Sequence, residues 1–344
     1  MTPQVEPVSD DKTHGGPLLD RFGRVHTSLR VSVTDKCNLR CQYCMPDTPI
    51  TFHPTAELLT FEEISQVVRL LVPRGIRKIR VTGGEPLLRR QLDRLIAMVS
   101  SIDGVDDLAI TTNGILLEEQ VEKLVAAGLR RINVSLDTLQ SSTFKVLARR
   151  DGLERVMAGI AAATRYQELS VKLNTLILRD INLAEVLELA RFAADLKIPL
   201  RFIEFMPLDA ERAWSEQRMV SGTELRERLE SEFGTLLQVD TTDSSQPSAD
   251  YVTGDGQLFG FISTVTEPFC GGCDRLRLTA DGKLRNCLFS QQEWDLREPL
   301  RAAARTDENL HSLFDACLSA KYFAHGSPQS HLQPPQRAMY QIGG

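Results

Sequence analysis

Six short runs rich in β-branched and apolar residues, at 29–34, 77–82, 107–111, 131–136, 171–178 and 200–205, are separated by stretches of helical periodicity. Strands joined through a helix cannot pair as hairpins, so they run parallel with their crossover helices packed on the sheet. Several helix boundaries are marked. Thr60 and Glu63 form a capping-box pair ahead of Phe61, Ile64, Val67, Val68 and Leu71, which share one face, and Gly75 stops that helix. Asn182 and Glu185 repeat the start signal before Val186, Leu189, Ala190 and Ala193, and Gly128 closes a helix bearing Val121, Leu124 and Val125. A complete eightfold β/α barrel takes about 250 residues. The repeat region here is shorter, so the expected fold is α/β, a partial (β/α)6 TIM-like barrel.

Barrels carry their functional residues at the carboxyl ends of their strands. Cys37, Gly83, Gly84, Thr111, Thr112, Ser135 and Met206 lie at or near such ends, and Lys172 sits inside its strand where it can point inward. Beyond residue 205 the pattern changes to a helix at 223–233, a polar stretch at 240–250 that reads as a surface loop, and two hairpins. The hairpins, 251–264 and 275–289, turn at Gly254-Asp255-Gly256 and Asp281-Gly282. The expected organisation is a flexible segment 1–24, a barrel 25–235, a C-terminal α+β extension 236–324 and a tail 325–344 ending in Gly343-Gly344. Pro328, Pro334 and Pro335 make that tail flexible by composition.

The 344 residues are 42% apolar, enough for a large core, and 40 Lys plus Arg against 46 Asp plus Glu give a net charge of −6. That balance argues against nucleic acid or an anionic membrane as a partner, so any anionic ligand must be held by local basic residues. No long apolar run is present and the first twenty residues lack a signal-peptide core. The expectation is a cytoplasmic protein, in whose reducing surroundings clustered cysteines serve as metal ligands or redox groups.

Six of the seven cysteines fall into two triplets, Cys37-x3-Cys41-x2-Cys44 and Cys270-x2-Cys273-x13-Cys287. Three thiolates hold three corners of a four-iron cube and leave one iron open to another ligand. Zinc instead takes four protein ligands. At the first set only His53 is near. At the second Cys317 could complete four, although its helical neighbours Leu313, Phe314 and Leu318 make it a packing thiol. A zinc-binding structural or regulatory protein is the alternative of a different class. Thr82-Gly83-Gly84-Glu85-Pro86 directly follows the second strand, where a Gly-Gly turn lets backbone approach a small polar ligand. Arg275 and Arg277 share a strand face after the second triplet, and paired guanidinium groups suit phosphate or the acceptor edge of a purine.

The first triplet, with Tyr43 inside it and Gly83-Gly84-Glu85-Pro86 after it, resembles the radical S-adenosylmethionine superfamily. Lys78-Ile-Arg80, Thr111-Thr-Asn-Gly114, Arg131-Ile-Asn-Val-Ser135-Leu-Asp137, Phe205-Met206-Pro207 and Cys270-Gly-Gly-Cys273-Asp-Arg275-Leu-Arg277, in that order, narrow the resemblance to the GTP 3′,8-cyclases. It implies two [4Fe-4S] clusters, one on Cys37, Cys41 and Cys44 and one carried by the extension on Cys270, Cys273 and Cys287. In that family S-adenosylmethionine binds the open iron of the first cluster and is cleaved reductively. The resulting 5′-deoxyadenosyl radical takes hydrogen from ribose C3′ of GTP, and the sugar radical attacks guanine C8 at the start of molybdenum-cofactor synthesis. The resemblance assigns Tyr43, Gly84, Ser135 and Met206 to S-adenosylmethionine, and Arg30, Arg80, Thr111, Lys172, Arg275, Leu276 and Arg277 to GTP. It also implies that the tail, with Arg337, Met339, Ile342 and the last glycines, enters the pocket. Implied partners are an electron donor whose identity the residues leave open, a downstream cyclic pyranopterin monophosphate synthase and a second copy in a homodimer. A radical peptide maturase with an auxiliary cluster is the alternative within enzymes.

Overall fold

The structure, a computed structural model, describes residues 15–241, 243, 245–304, 306–324 and 336–343. The six expected runs are strands β1 (Ser28–Ser32), β2 (Lys78–Thr82), β3 (Asp107–Thr112), β4 (Arg131–Ser135), β5 (Ser170–Leu176) and β6 (Leu200–Ile203), each parallel to the next. Helices α1 (Phe61–Leu71), α2 (Leu92–Ser100), α3 (Leu117–Ala126), α4 (Ser141–Ala148), α5 (Leu153–Ala163) and α6 (Val186–Asp195) lie in the connections. The Thr60–Glu63 capping box forms in both directions. Asn182 does not act as a cap. Its Oδ1 accepts from Leu178 N and its Nδ2 donates to Asp137 O and Leu176 O, so it ties the ends of β4 and β5 together. Leu29, Val31, Ile79 and Val81 join the core beneath the helices, while the alternate residues Arg30, Arg80 and Thr82 line a central cavity.

The remaining strands are β7 (Leu237–Gln238), β8 (Ala249–Val252), β9 (Leu258–Ile262), β10 (Arg275–Leu278), β11 (Lys283–Arg285) and β12 (Trp294–Asp295). They do not form a separate lobe. One sheet of 12 strands has the order β12-β11-β10-β1-β2-β3-β4-β5-β6-β9-β8-β7. The first hairpin therefore joins the β6 edge through parallel β9, and the second joins the β1 edge through parallel β10. The connection between them, 263–274, starts at the carboxyl end of one edge strand and finishes at the amino end of the other. It carries Cys270 and Cys273 across the open side of the barrel.

Helix α7 (Gly222–Phe233) is capped by Ser221, whose side chain accepts from Glu224 N, and α8 (Arg297–Arg301), α9 (Asp307–Ser319) and α10 (Met339–Ile342) complete the chain. Of the segment 1–24, expected to be flexible, residues 15–24 are anchored. Leu18 is fully buried and bonded to Arg74 O, and Arg24 reaches Cys270 O and Tyr322 O. Residues 1–14, 325–335 and Gly344 lie outside the described residues. Among the described residues no helix is long and apolar enough to cross a membrane.

Cys317 is fully buried in α9 with Leu310, Phe314 and Leu318, and burial pushes its thiol above the ordinary range. Its role is packing. Cys317→Ala should therefore cost about 1–2 kcal/mol of stability in a denaturant titration, by loss of a small buried group, and leave the iron content of reconstituted protein unchanged. Lost iron would make it a ligand.

Candidate active site

Both triplets face one cavity of about 470 Å³, which all six of their cysteines line. They stand at opposite ends of it. Cys37, Cys41 and Cys44 follow the carboxyl end of β1, whereas Cys270 and Cys273 precede the amino end of β10, which runs parallel to β1. Antiparallel β11 pairs Arg285 with Arg277, so Cys287, two residues beyond it, returns to that same amino end. The residues expected at the carboxyl ends, Cys37, Gly83, Gly84, Thr111, Thr112, Ser135 and Met206, all line the cavity from there, whereas the second triplet lies at the amino end. The length of β1 separates the two sites, on the order of 15 Å at about 3.3 Å per residue.

The first triplet sits on a loop fixed from two sides. Arg40 N and Gln42 N donate to Ala148 O and Leu147 O at the end of α4, while Cys44 N and Met45 N both turn back to Cys41 O. From β2, Gly84 N donates to Thr34 O at 2.7 Å and Glu85 N to Lys36 O at 2.8 Å. A Cβ on Gly84 would stand 2.4 Å from Lys36 O, so this glycine serves first to let two backbones touch. The Glu85 carboxylate accepts from Leu87 N, Thr112 Oγ1 and Asn113 N, which ties β2 to β3. Asn113 Nδ2 lies 3.8 Å from Cys37 Sγ. Sequence reasoning placed Glu85 and Asn113 in motifs without giving either this task.

Tyr43, Gly84, Ser135 and Met206 all line the cavity near this loop. The Tyr43 hydroxyl donates to Asp137 Oδ2 at 2.5 Å, and Asp137 Oδ1 accepts from Leu176 N. Burial pushes the Asp137 carboxyl up to about 6 and that of Glu85 up to about 7. Burial first, and then Glu85, pushes the Cys37 thiol up to about 11, and Cys41 and Cys44 are raised likewise. The bare protein thus disfavours thiolates here, and a bound cationic cluster would supply the missing counter-charge. At the other end burial also opposes the Cys273 thiolate, but Arg275 and Lys321 overcome it and bring the thiol down to about 6. Among the described residues no three His, Cys, Asp or Glu side chains converge as single-ion ligands. Three thiols spread around a cavity wall suit a multi-iron cluster, whose corners stand apart, better than zinc, which draws its ligands to within about 2.3 Å of one point.

Between the triplets lies a band of positive charge. Strand register places Arg277 beside Arg30 and Arg30 beside Arg80. Burial, and then the neighbouring guanidinium groups, pushes all three below their ordinary values, Arg277 to about 10. Among the described residues none of the three is ion-paired with a carboxylate. Arg275 stacks 4.4 Å over Phe269 and leaves Nε and Nη2 buried without a partner. Lys172 and Thr111 line the same wall. Burial, and then Arg201 and Arg131, pushes Lys172 down to about 8. Buried unpartnered acceptors, Asn133 Oδ1 and Asn174 Oδ1, add polar contacts for a ligand.

Leu276 is the one residue assigned to GTP that does not line the cavity. It is fully buried in the core on the opposite face of β10 from Arg275 and Arg277. Two features have no counterpart in the sequence reading. Arg201 and Arg131 line the cavity, paired with Asp250 at 3.1 Å and Asp107 at 2.6 Å. Asp243, from the stretch read as a surface loop, lies over the mouth and pairs with Lys78. Asp250 and Asp243 reach these basic residues only through non-local folding, which no local signal announces. The tail, which the resemblance implies enters the pocket, reaches it here: Arg277 Nη1 donates to Gly343 O at 2.6 Å and Met339 and Tyr340 line the cavity, so residues 336–343 are packed rather than loose. Arg337 anchors them through Asp281 at 2.8 Å and Glu293 at 2.9 Å, and Ile342 is buried.

Comparison with known proteins accords with this geometry. Residues 31–193 match the family model described as Radical SAM superfamily, and 198–327 the one described as Molybdenum Cofactor Synthesis C. The chain is 48% identical over 331 residues to the GTP 3′,8-cyclase of Rhodopirellula baltica, covering 95% of this chain and 92% of that one. To the GTP 3′,8-cyclase of Rhodococcus opacus it is 44% identical over 330 residues, covering 95% and 93%. Among solved structures, Streptococcus suis SuiB superposes with a TM-score of 0.59 over 88% of this chain and 68% of SuiB. At 14% identity that is a likeness of fold alone.

The Gly84 contact generates a test. Gly84→Ala pushes a methyl group into the main chain of the first cysteine loop, so reconstituted protein should lose the iron held there, about four atoms per chain. Gly271→Ala, where the nearest atom to an added Cβ is Phe323 at 3.9 Å, should keep full iron. Full iron in Gly84→Ala would remove the loop constraint.

Proposed function

The chain belongs to the GTP 3′,8-cyclases, radical S-adenosylmethionine enzymes that carry out the first step of molybdenum-cofactor biosynthesis, and from that premise we infer how its residues divide the work. The substrate is GTP, and the product is (8S)-3′,8-cyclo-7,8-dihydroguanosine 5′-triphosphate. S-adenosylmethionine and an iron-sulfur cluster are the family's cofactors. A second cube on Cys270, Cys273 and Cys287 is our reading of the second triplet. When bound at Cys37, Cys41 and Cys44, the first cluster supplies the electron that splits S-adenosylmethionine and so starts hydrogen abstraction at ribose C3′.

The protein's own part is binding, orientation and exclusion of water. Tyr43, fixed by Asp137, closes over the first triplet, and Gly84, Ser135 and Met206 complete the S-adenosylmethionine wall. The charge row of Arg30, Arg80 and Arg277, with Lys172 and Arg201, binds the triphosphate, and Thr111 contacts the nucleotide beside them. Lys78 joins them once Asp243 gives it up. Arg275 and Arg277 orient the nucleotide towards the second triplet, and Leu276 serves by locking β10 into the core. Hydrogen transfer needs the reacting carbon held in contact with the radical, which is what a cavity walled from both ends provides. The observation that carries this reading is the arginine row: three cations abreast, Arg277 buried and Arg30 and Arg80 half-buried against the cavity, without carboxylate partners among the described residues, require an anion. An external one-electron donor, a synthase that takes the cyclised nucleotide and assembly as a homodimer complete the scheme.

Anaerobic incubation with GTP, S-adenosylmethionine and dithionite should yield 5′-deoxyadenosine and the cyclised nucleotide together. Deoxyadenosine alone would retain the radical chemistry and defeat the substrate. A pH series tests the charge band. Lys172 titrates near 8 when free of ligand, so GTP affinity should be full below that pH and weaken as the ammonium deprotonates above it. Lys172→Arg, which stays charged, should hold its affinity to pH 9 in calorimetry. A wild-type affinity that does not fall would remove Lys172 from the phosphate site.

A further inference from the structure

Lys321 is a buried cation that the substrate assignment does not use. It lies just past α9 and is 2% exposed. Its Nζ stands 2.7 Å from Asn286 O, 3.1 Å from Arg275 O and 3.6 Å from Cys273 Sγ. An ammonium group has three protons to donate, and here all three have acceptors. Those acceptors belong to the two segments that carry the second triplet, since Asn286 precedes Cys287 and Arg275 follows Cys273. The two carbonyls fix the nitrogen, and the remaining proton is directed at sulfur.

Helix α9 holds this nitrogen in place from the other side. Leu310, Phe314, Cys317 and Leu318 are fully buried along it, and Asn286 Nδ2 donates to Cys317 O at 2.7 Å. A lysine on a packed helix end is a fixed charge rather than a swinging one. Among the described residues it is ion-paired with no carboxylate, so the sulfur of Cys273 is its nearest anionic partner. The first triplet has the opposite surroundings, with the buried Glu85 and the half-buried Asp137 as its acidic neighbours.

We infer that Lys321 is a positioning residue for the second cluster, holding Cys273 as a ligand and raising that cluster's reduction potential above the value the thiolates alone would set. The inference rests on the reading that the second triplet carries a cube. A fixed positive charge and an N–H···S contact both favour the more negative, reduced state of a cluster. The acids beside the first triplet act in the other direction, so the fold separates the two potentials.

The test uses the full chain with Cys37, Cys41 and Cys44 replaced by alanine, so that only the second cluster remains visible in an EPR-monitored redox titration. About four irons per chain in this background are required by the two-cluster reading; their absence would overturn that reading and the role of Lys321 with it, whereas a failure seen only in the Lys321 variants, with the four irons present, overturns the role alone. With the cluster present, Lys321→Met should raise the oxidised-to-reduced ratio at a fixed ambient potential about tenfold, a fall in midpoint of about 59 mV for a one-electron couple. Lys321→Arg should restore most of it. An unchanged midpoint in Lys321→Met, even in a less stable protein, overturns the inference by leaving a purely structural peg. Where Lys321→Met takes up no iron, Lys321→Arg decides. Full iron with a near-wild-type midpoint supports the role of the charge, and no iron in the arginine variant overturns it.

Discussion

The main-chain pairing of β10 with β1 is the constraint on which the rest depends. β10 comes from almost 250 residues further along the chain, yet its parallel register brings Arg277 beside Arg30 and, through β2, beside Arg80. The same register delivers Cys273 to the amino end of the barrel while Cys37 stays at the carboxyl end. A slip of one residue would turn Arg275 and Arg277 into the core and Leu276 into the cavity. Leu276, fully buried, is therefore what protects the register, and the two arginines are what the register exposes.

Holding like charges abreast in a half-buried wall costs stability, and the chain keeps the cost tolerable by spreading partial partners around it. Asp107 pairs with Arg131, Asp250 with Arg201, Asp243 with Lys78 and the Gly343 carbonyl with Arg277. Two of these come from the stretch around 240–250 and one from the C-terminal segment, so parts that look peripheral in the chain balance the charge of the pocket. The two triplets differ in the same electrostatic terms. Acids crowd the first, to which reduction of the sulfonium is assigned, and cations crowd the second, to which the nucleotide is assigned.

Much of this was legible in the residues because it is local. The six β-branched runs became six consecutive parallel strands, and the Thr60–Glu63 pair became a working capping box. Cysteine spacing was informative because residues close in the chain, or brought together by a hairpin, reach the same wall, and all six cysteines line one cavity. The position of Leu276 could have been read from strand alternation alone, since a residue flanked by two inward arginines must face outward. What escaped was non-local. Nothing near Asn182 says that its amide will bind the ends of β4 and β5 rather than cap a helix, and nothing near Lys321 or Asp243 names Cys273 or Lys78 as a partner. The placing of the two hairpins on opposite sheet edges was equally hidden, because a hairpin turn fixes its own strands and not the edge it joins.

The central proposal is that the two triplets serve one nucleotide from opposite ends, with Arg275 and Arg277 turning its base towards a cluster on the second triplet. The most direct measurement is electron–nuclear double resonance on the chain in which Cys37, Cys41 and Cys44 are alanine, reduced and mixed with GTP labelled or unlabelled with nitrogen-15 in the base. The account predicts a nitrogen coupling to the remaining cluster that changes with the isotope. A cluster signal that shows no guanine nitrogen while GTP is demonstrably bound would contradict it.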